Sequence, residues 1–215
     1  MYVRSDTAVN FDIEFPGEPL SLPLCPDHLN RLLSKSRKSP QNLVLVCVGT
    51  DRIIGDSLGP LVGSILERTI YTFPQNDSPG KTKKYRTENS NRLFEKTGRS
   101  DRLKIYGTLL HTVHARILAD TAAHIRRNHT DSIVIAVDAS LGEKADVGSV
   151  FVRAGNLRPG AGVNKNLPRI GDITITGIAG EQSRHPYLTL QTVRLSTVVQ
   201  MAEQICSCIL EVCEH

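Results

Sequence analysis

Tryptophan is absent from this 215-residue chain, and phenylalanine and tyrosine are scarce at five each. Proteins that bind single-stranded nucleic acid stack bases on such rings, so their scarcity argues against that class. A net charge of +4 adds little, because much of the excess comes from Lys81, Lys83, Lys84, Arg86, Arg92, Lys96, Arg99 and Arg102 in one polar stretch that reads as a solvated loop. No run of eighteen apolar residues occurs, and the opening MYVRSDTAVNFDIEFPG lacks the apolar centre of a signal peptide. A cytoplasmic protein with neither a nucleic-acid nor a membrane partner is the expectation. The five cysteines (Cys25, Cys47, Cys206, Cys208 and Cys213) are odd in number and form no CxxC pair, which argues against a disulfide framework or a structural zinc site. Neither GxGxxG nor GxxxxGK is present to cradle a phosphate, and HExxH is missing as well.

What the chain does contain is an alternation of strand and helix patterns. Pro26 to Ser34 carries Leu29, Leu32 and Leu33 on one helical face. Asn42 to Val48 is continuously apolar, as in a strand buried on both faces. Pro60 to Ile70 predicts a helix with Gly59 as N-cap and Pro60 at its first position. Leu103 to Gly107 and Ser132 to Val137 are further strands, with a helix predicted over Val113 to Asn128 between them. Gly148 to Arg153 follows too closely for a parallel crossover and is expected to pair antiparallel. Asp172 to Ile178 is another strand, and one long helix is expected over Leu188 to Val212. Phe73 to Arg102 is polar, aperiodic and rich in Pro, Gly, Asn, Ser and Lys, which predicts a flexible insertion dispensable for folding. The pattern gives an α/β fold: a three-layer α/β/α sandwich around a mixed, mostly parallel sheet. Residues 1–40 form a lead-in with a short helix, and 41–215 form a single domain that carries the insertion at about 73–102.

In open sheets of this kind, sites form beyond the carboxyl ends of the strands. The loop V-G-T-D-R-I-I-G-D-S-L-G-P leaves the first buried strand at that edge, and Asp138 ends the strand I-V-I-A-V-D. Two carboxylates brought close cannot both ionise easily, so one keeps a proton while the other acts as base, an arrangement suited to activating water. Asp56 and Asp138 are the candidates. Asp51 rivals Asp56 on spacing alone, and both aspartates also suit plain capping roles. The stretch L-R-P-G-A-G-V-N-K-N-L-P offers Lys165 in a glycine-rich loop fit either to hold a substrate carbonyl or to be plain surface. His111 and His114 follow the second parallel strand toward the same edge.

In this order, V-C-V-G-T-D-R-I-I-G-D-S-L-G-P, Y-G-T-L-L-H-T-V-H-A, I-A-V-D-A-S-L-G, P-G-A-G-V-N-K-N-L-P and L-Q-T-V-R-L-S resemble the YyaC-type sporulation proteins. That family is similar to the spore germination proteases and, more distantly, to the hydrogenase maturation endopeptidases. The resemblance implies a phosphorylase/hydrolase-like α/β/α fold in a sporulating bacterial cell or spore. It implies Asp56, in a D-x-L-G-P motif, and Asp138, in an I-D-A-like motif, as catalytic acids. It further implies that Gly55, Gly160, Gly162, Lys165 and His114 position a protein or peptide substrate. No cofactor and no metal are called for in that reading. Where family members commonly have G-T-L-D-E-P-V-H-A, this chain has G-T-L-L-H-T-V-H-A, which loses acidic groups and keeps His114. The expected function is a spore-associated peptidase of the aspartate-pair type. The alternatives are a catalytically silent protein-binding sporulation factor and a metal-dependent maturation-type endopeptidase.

Overall fold

The apolar run after Asn42 feeds two different cores. Leu43, Leu45 and Cys47 join one buried cluster and Val44, Val46 and Val48 the other. Ile133, Ile135 and Val137 divide from Val134 and Ala136 in the same way. A period of two with both faces apolar requires cover on both sides of the sheet, and the helices supply it.

The computed structural model describes residues 21–36, 38–71, 102–159 and 167–214. Its strands are β1 (Leu22–Pro23), β2 (Ser39–Cys47), β3 (Leu103–Tyr106), β4 (Ser132–Gly142), β5 (Val150–Ala154) and β6 (Ile173–Glu181). Its helices are α1 (Pro26–Ser34), α2 (Leu58–Tyr71), α3 (Leu118–Asn128), α4 (Pro186–Thr192) and α5 (Leu195–Glu214). The sheet order is β1-β5-β6-β4-β2-β3. The pairs β3–β2, β2–β4 and β4–β6 are parallel, whereas β5 runs antiparallel to both β6 and β1. Leucines of α1, Leu58, Val62 and Leu66 of α2, and Val198, Met201, Ile205 and Ile209 of α5 cover one face. Leu118, Ala122 and Ile125 of α3 cover the other. The fold is therefore the expected mixed, mostly parallel α/β/α sandwich. The expected insertion, apart from Arg102, lies outside the described residues.

By length and composition alone, Leu195–Cys213 would be apolar enough to cross a membrane. Here it is the core helix, with Val198, Met201, Ala202, Ile205 and Ile209 buried against the sheet and α2.

The structure departs from the sequence pattern at four element ends. A 3-10 turn over Gly55–Ser57 runs straight into α2, so Gly59 and Pro60 lie inside the first turn rather than at its cap. Proline is tolerated there because the first four helical N–H groups have no partner within the helix. Val113 is not helical: it bridges Val48, and its carbonyl accepts the Gly49 N–H at 3.0 Å, so α3 begins only at Leu118. The expected long last helix breaks at Val193, which is extended (ψ 155°). Just before the break the Thr192 hydroxyl bonds the carbonyls of Leu188 and Thr189, a local alternative to continuing the helix. Finally, β4 does not end at Asp138 but follows β6 past an irregularity at Ser140/Leu141 to Gly142.

A buried ion pair ties down the opposite, amino edge of the sheet. The Asp172 side chain is fully buried, accepts the Val134 N–H at 2.8 Å and pairs with Lys38 Nζ at 2.9 Å.

Candidate active site

Beyond Cys47 the backbone turns back on itself, and glycine is what permits it. Gly49 has φ +142°, and a Cβ there would run into the carbonyl oxygen of Asp56 and approach Pro60 Cδ at 3.1 Å. That same carbonyl accepts the Thr50 N–H at 3.0 Å. The loop is thereby closed, with Asp56 brought back beside the end of β2. The Gly55–Ser57 turn is fastened by the Ser57 hydroxyl, which donates to the Ile54 carbonyl at 2.6 Å. Asp56 thus sits just ahead of α2, where the positive end of the helix dipole favours a negative charge.

Asp138 reaches the same place from β4. The last rung to β2 is the Val48 N–H donating to the Val137 carbonyl at 2.8 Å, so Asp138 is the first residue of β4 beyond its β2 neighbour. It remains paired with Thr176 of β6, is only 8% exposed, and its Oδ1 accepts the Ala139 N–H at 2.9 Å. Burial holds its carboxyl well above the usual carboxylate range, the charge of Asp56 pushes it further, and the Ala139 hydrogen bond pulls the other way. Burial and the neighbouring Asp56 thus both favour a proton on Asp138. Asp51, the rival on spacing, is exposed in the turn with Oδ1 3.4 Å from its neighbour Thr50 Oγ1.

The other predicted site residues are distributed unevenly. Gly55 is buried against α4, and His114 stands at the carboxyl edge next to the Val113 bridge, its Nδ1 accepting the Arg116 N–H at 3.3 Å. His111 lies in a tight turn that pairs with Thr108. Gly160, Gly162 and Lys165 lie outside the described residues. Among the described residues no three His, Cys, Asp or Glu side chains are grouped as a metal site would require.

Two residues at the site carry no obvious flag in the sequence. Thr176 stands in register beside Asp138, and its trace is the polar alternation in D-I-T-I-T, whose Thr174 donates to the Gly155 carbonyl at 2.7 Å. Leu190 of α4 packs on Gly55, and no motif announces it. A Cβ on Gly55 would fall 2.7 Å from Leu190 Cδ2 and 3.0 Å from the Leu190 carbonyl oxygen. The side-chain tip can swing away but the helix backbone cannot. Gly55→Ala is therefore expected to push α4 outward at a cost of roughly 1–3 kcal/mol. Thermal unfolding checks this, and an unchanged melting temperature would show that α4 yields freely.

The fold is an open α/β/α sandwich, with Asp56 and Asp138 both at the carboxyl edge of its sheet. The chain belongs to the family described as "Protein of unknown function (DUF1256)", which it matches over residues 24–74 and 93–208. It is 38% identical over 174 residues to the "Uncharacterized protein YyaC" of Bacillus subtilis (strain 168), covering 81% of this chain and 70% of that protein. Among solved structures it is similar to a NiFe hydrogenase maturation protease, HycI from Thermococcus kodakarensis KOD1, at 16% identity and a TM-score of 0.49 over 87% of this chain and 99% of that one.

Proposed function

We propose that the protein hydrolyses peptide bonds with Asp56 and Asp138 acting as one unit, in the setting of a sporulating bacterial cell that the family resemblance implies. The observation that carries this reading is the setting of Asp138, a carboxyl buried at the carboxyl edge, where burial and the neighbouring Asp56 both favour its protonated form. Ionised Asp56 takes a proton from water as the oxygen attacks the scissile carbonyl carbon. Protonated Asp138 gives its proton to the carbonyl oxygen, so that no free oxyanion forms. Collapse of the tetrahedral intermediate breaks the C–N bond: the proton held on Asp56 passes to the leaving nitrogen, and one hydroxyl of the intermediate returns its proton to Asp138, so both groups regain their starting states. His114, Lys165 and the glycines at 160 and 162 are the residues we assign to positioning the peptide.

The apolar side chains around the site support a polypeptide substrate. Among the described residues the exposed large hydrophobics are Ile54, Leu109, Leu110, Ile117, Val147, Tyr187, Leu188 and Leu195. Every one lies in a segment following the carboxyl end of β2, β3, β4 or β6. Exposed apolar groups gathered at one edge suit contact with another chain. The same ring favours a second reading, a binding factor that holds a protein partner without cutting it.

The test is to incubate the purified full chain with proteins extracted from spores, with and without chelator, and to look for new termini by mass spectrometry. New termini that appear in both samples are expected. Their absence across the range from acid to neutral pH would overturn the peptidase reading and leave the binding factor.

A further inference from the structure

At the edge of the sheet opposite the aspartates, a cleft of about 270 Å³ opens where β2, β3 and β4 begin and α3 ends. Among the described residues its lining includes Arg102, Lys104, His129, Asn128 and Thr130, and a single acid, Asp131. Lys104 has no ion-pair partner among the described residues. Arg102 also lines the cleft and has interactions of its own.

The end of α3 does not cancel this charge. A helix C-terminus presents partly negative carbonyls, and two near this end are engaged: the His129 N–H donates to the Ile125 carbonyl at 2.9 Å and Asn128 Nδ2 to the His124 carbonyl at 2.9 Å. The His129 carbonyl accepts the Ser132 N–H at 3.2 Å, and Arg126 and Arg127 stand in the last helical turn. The His129 ring is fixed in place by Tyr106, whose hydroxyl lies 2.8 Å from Nε2, leaving Nδ1 without a partner among the described residues. Burial, and then the charges of His124 and Lys104, hold the His129 pKa below its ordinary value.

We propose that this cleft is a binding site for a phosphate-type dianion, free or as a phosphomonoester, held by Lys104 and His129 Nδ1. A phosphate group has several strong acceptor oxygens, and charge-assisted bonds to lysine and imidazolium are what such a lining supplies. Binding adds a proton at His129, because the anion stabilises the imidazolium that the empty cleft disfavours. The site is independent of the aspartate pair and stands whether or not the protein cuts peptides.

The experiment follows the histidine rings of the full 15N-labelled chain by NMR, with His129 assigned from His129→Gln. Inorganic phosphate is titrated in one arm and glycerol phosphate in another, each against sodium chloride at matched ionic strength. A saturable shift of the His129 ring in either arm supports the proposal, and the arm that saturates at lower concentration identifies the source of the phosphate. Lys104→Gln should weaken binding about tenfold, and Lys104→Arg, which keeps the charge and the fold, should retain it. A shift that chloride reproduces, or an affinity unchanged in Lys104→Gln, would overturn the site.

Discussion

Asp138→Asn is expected to abolish peptide cleavage while making the protein more stable at neutral pH. The amide keeps the shape and can still accept the Ala139 N–H, but it has no proton to give and no charge to take one up. Loss of a positioned acid or base usually lowers the rate by about a hundredfold or more. Asp56→Asn should cost about as much, and the double variant little more than either single one, because the two act as a unit. Asp51→Asn, altering an exposed side chain earlier in the turn, should have little effect. The stability change has a definite sign. The folded protein holds the Asp138 proton to higher pH than the unfolded chain does, so folding takes up a proton between the two pKa values. Stability contributed at this position is then greatest below the ordinary carboxylate value of 3.8 and falls as pH rises toward the raised folded value. Asparagine has no such dependence, so the variant should match the wild type in acid and melt higher at pH 7. Each kcal/mol released appears as roughly 2–4 °C. Retained cleavage in Asp138→Asn would make the pair structural, and equal melting temperatures at both pH values would show that burial imposes no penalty there.

The sheet was legible because its strands are apolar on both faces, and in Leu43–Val48 and Ile133–Val137 that pattern has no competing explanation. The ends of elements were not legible, since they depend on partners distant in sequence. Val113 reads as the start of a helix until its carbonyl is seen to bond Gly49 across the edge. Thr192 and Val193 sit within a helical apolar pattern, yet the threonine hydroxyl closes α4 locally and the chain kinks. Similar reasons govern the site. The glycines around Asp56 signalled a tight turn, but spacing could not choose between Asp51 and Asp56. Closure of the loop through the Asp56 carbonyl brings Asp56 back beside the end of β2 and leaves Asp51 exposed, a three-dimensional fact. Asp138 was visible as a lone charge in an apolar strand, whereas Thr176 and Leu190 became neighbours of the site only through the β4–β6 register and the packing of α4.

Asp172→Ala should be among the most destabilising substitutions in the molecule, although it lies at the edge away from the aspartate pair. Asp172 was read as the first residue of a strand, and nothing in D-I-T-I-T-G-I marks it as buried. Its carboxylate is fully covered, accepts a β4 amide and holds the Lys38 ammonium, itself only a quarter exposed. Removing it leaves the Val134 N–H without its acceptor and takes the carboxylate from a largely covered cation, a loss of about 3–5 kcal/mol when one member of a buried pair is deleted. Asp172→Asn should lose less, since an amide oxygen can still accept the Val134 N–H. Lys38→Met should also be costly, because it strands a buried carboxylate, and the Lys38→Met, Asp172→Ala double variant should lose less than the two single losses combined. The bond has a consequence at the far end of the sheet. Asp172 fixes where β6 starts beside β4, and four residues on, the same register sets Thr176 against Asp138. A strand that slips by one residue turns its side chains to the opposite face. The urea midpoint of Asp172→Ala should therefore fall, and cleavage should fall with it even under conditions where the variant is folded. A midpoint within error of the wild type would show that the pair contributes nothing to the sheet, and full activity in a destabilised but folded variant would show that the β4–β6 register is held elsewhere.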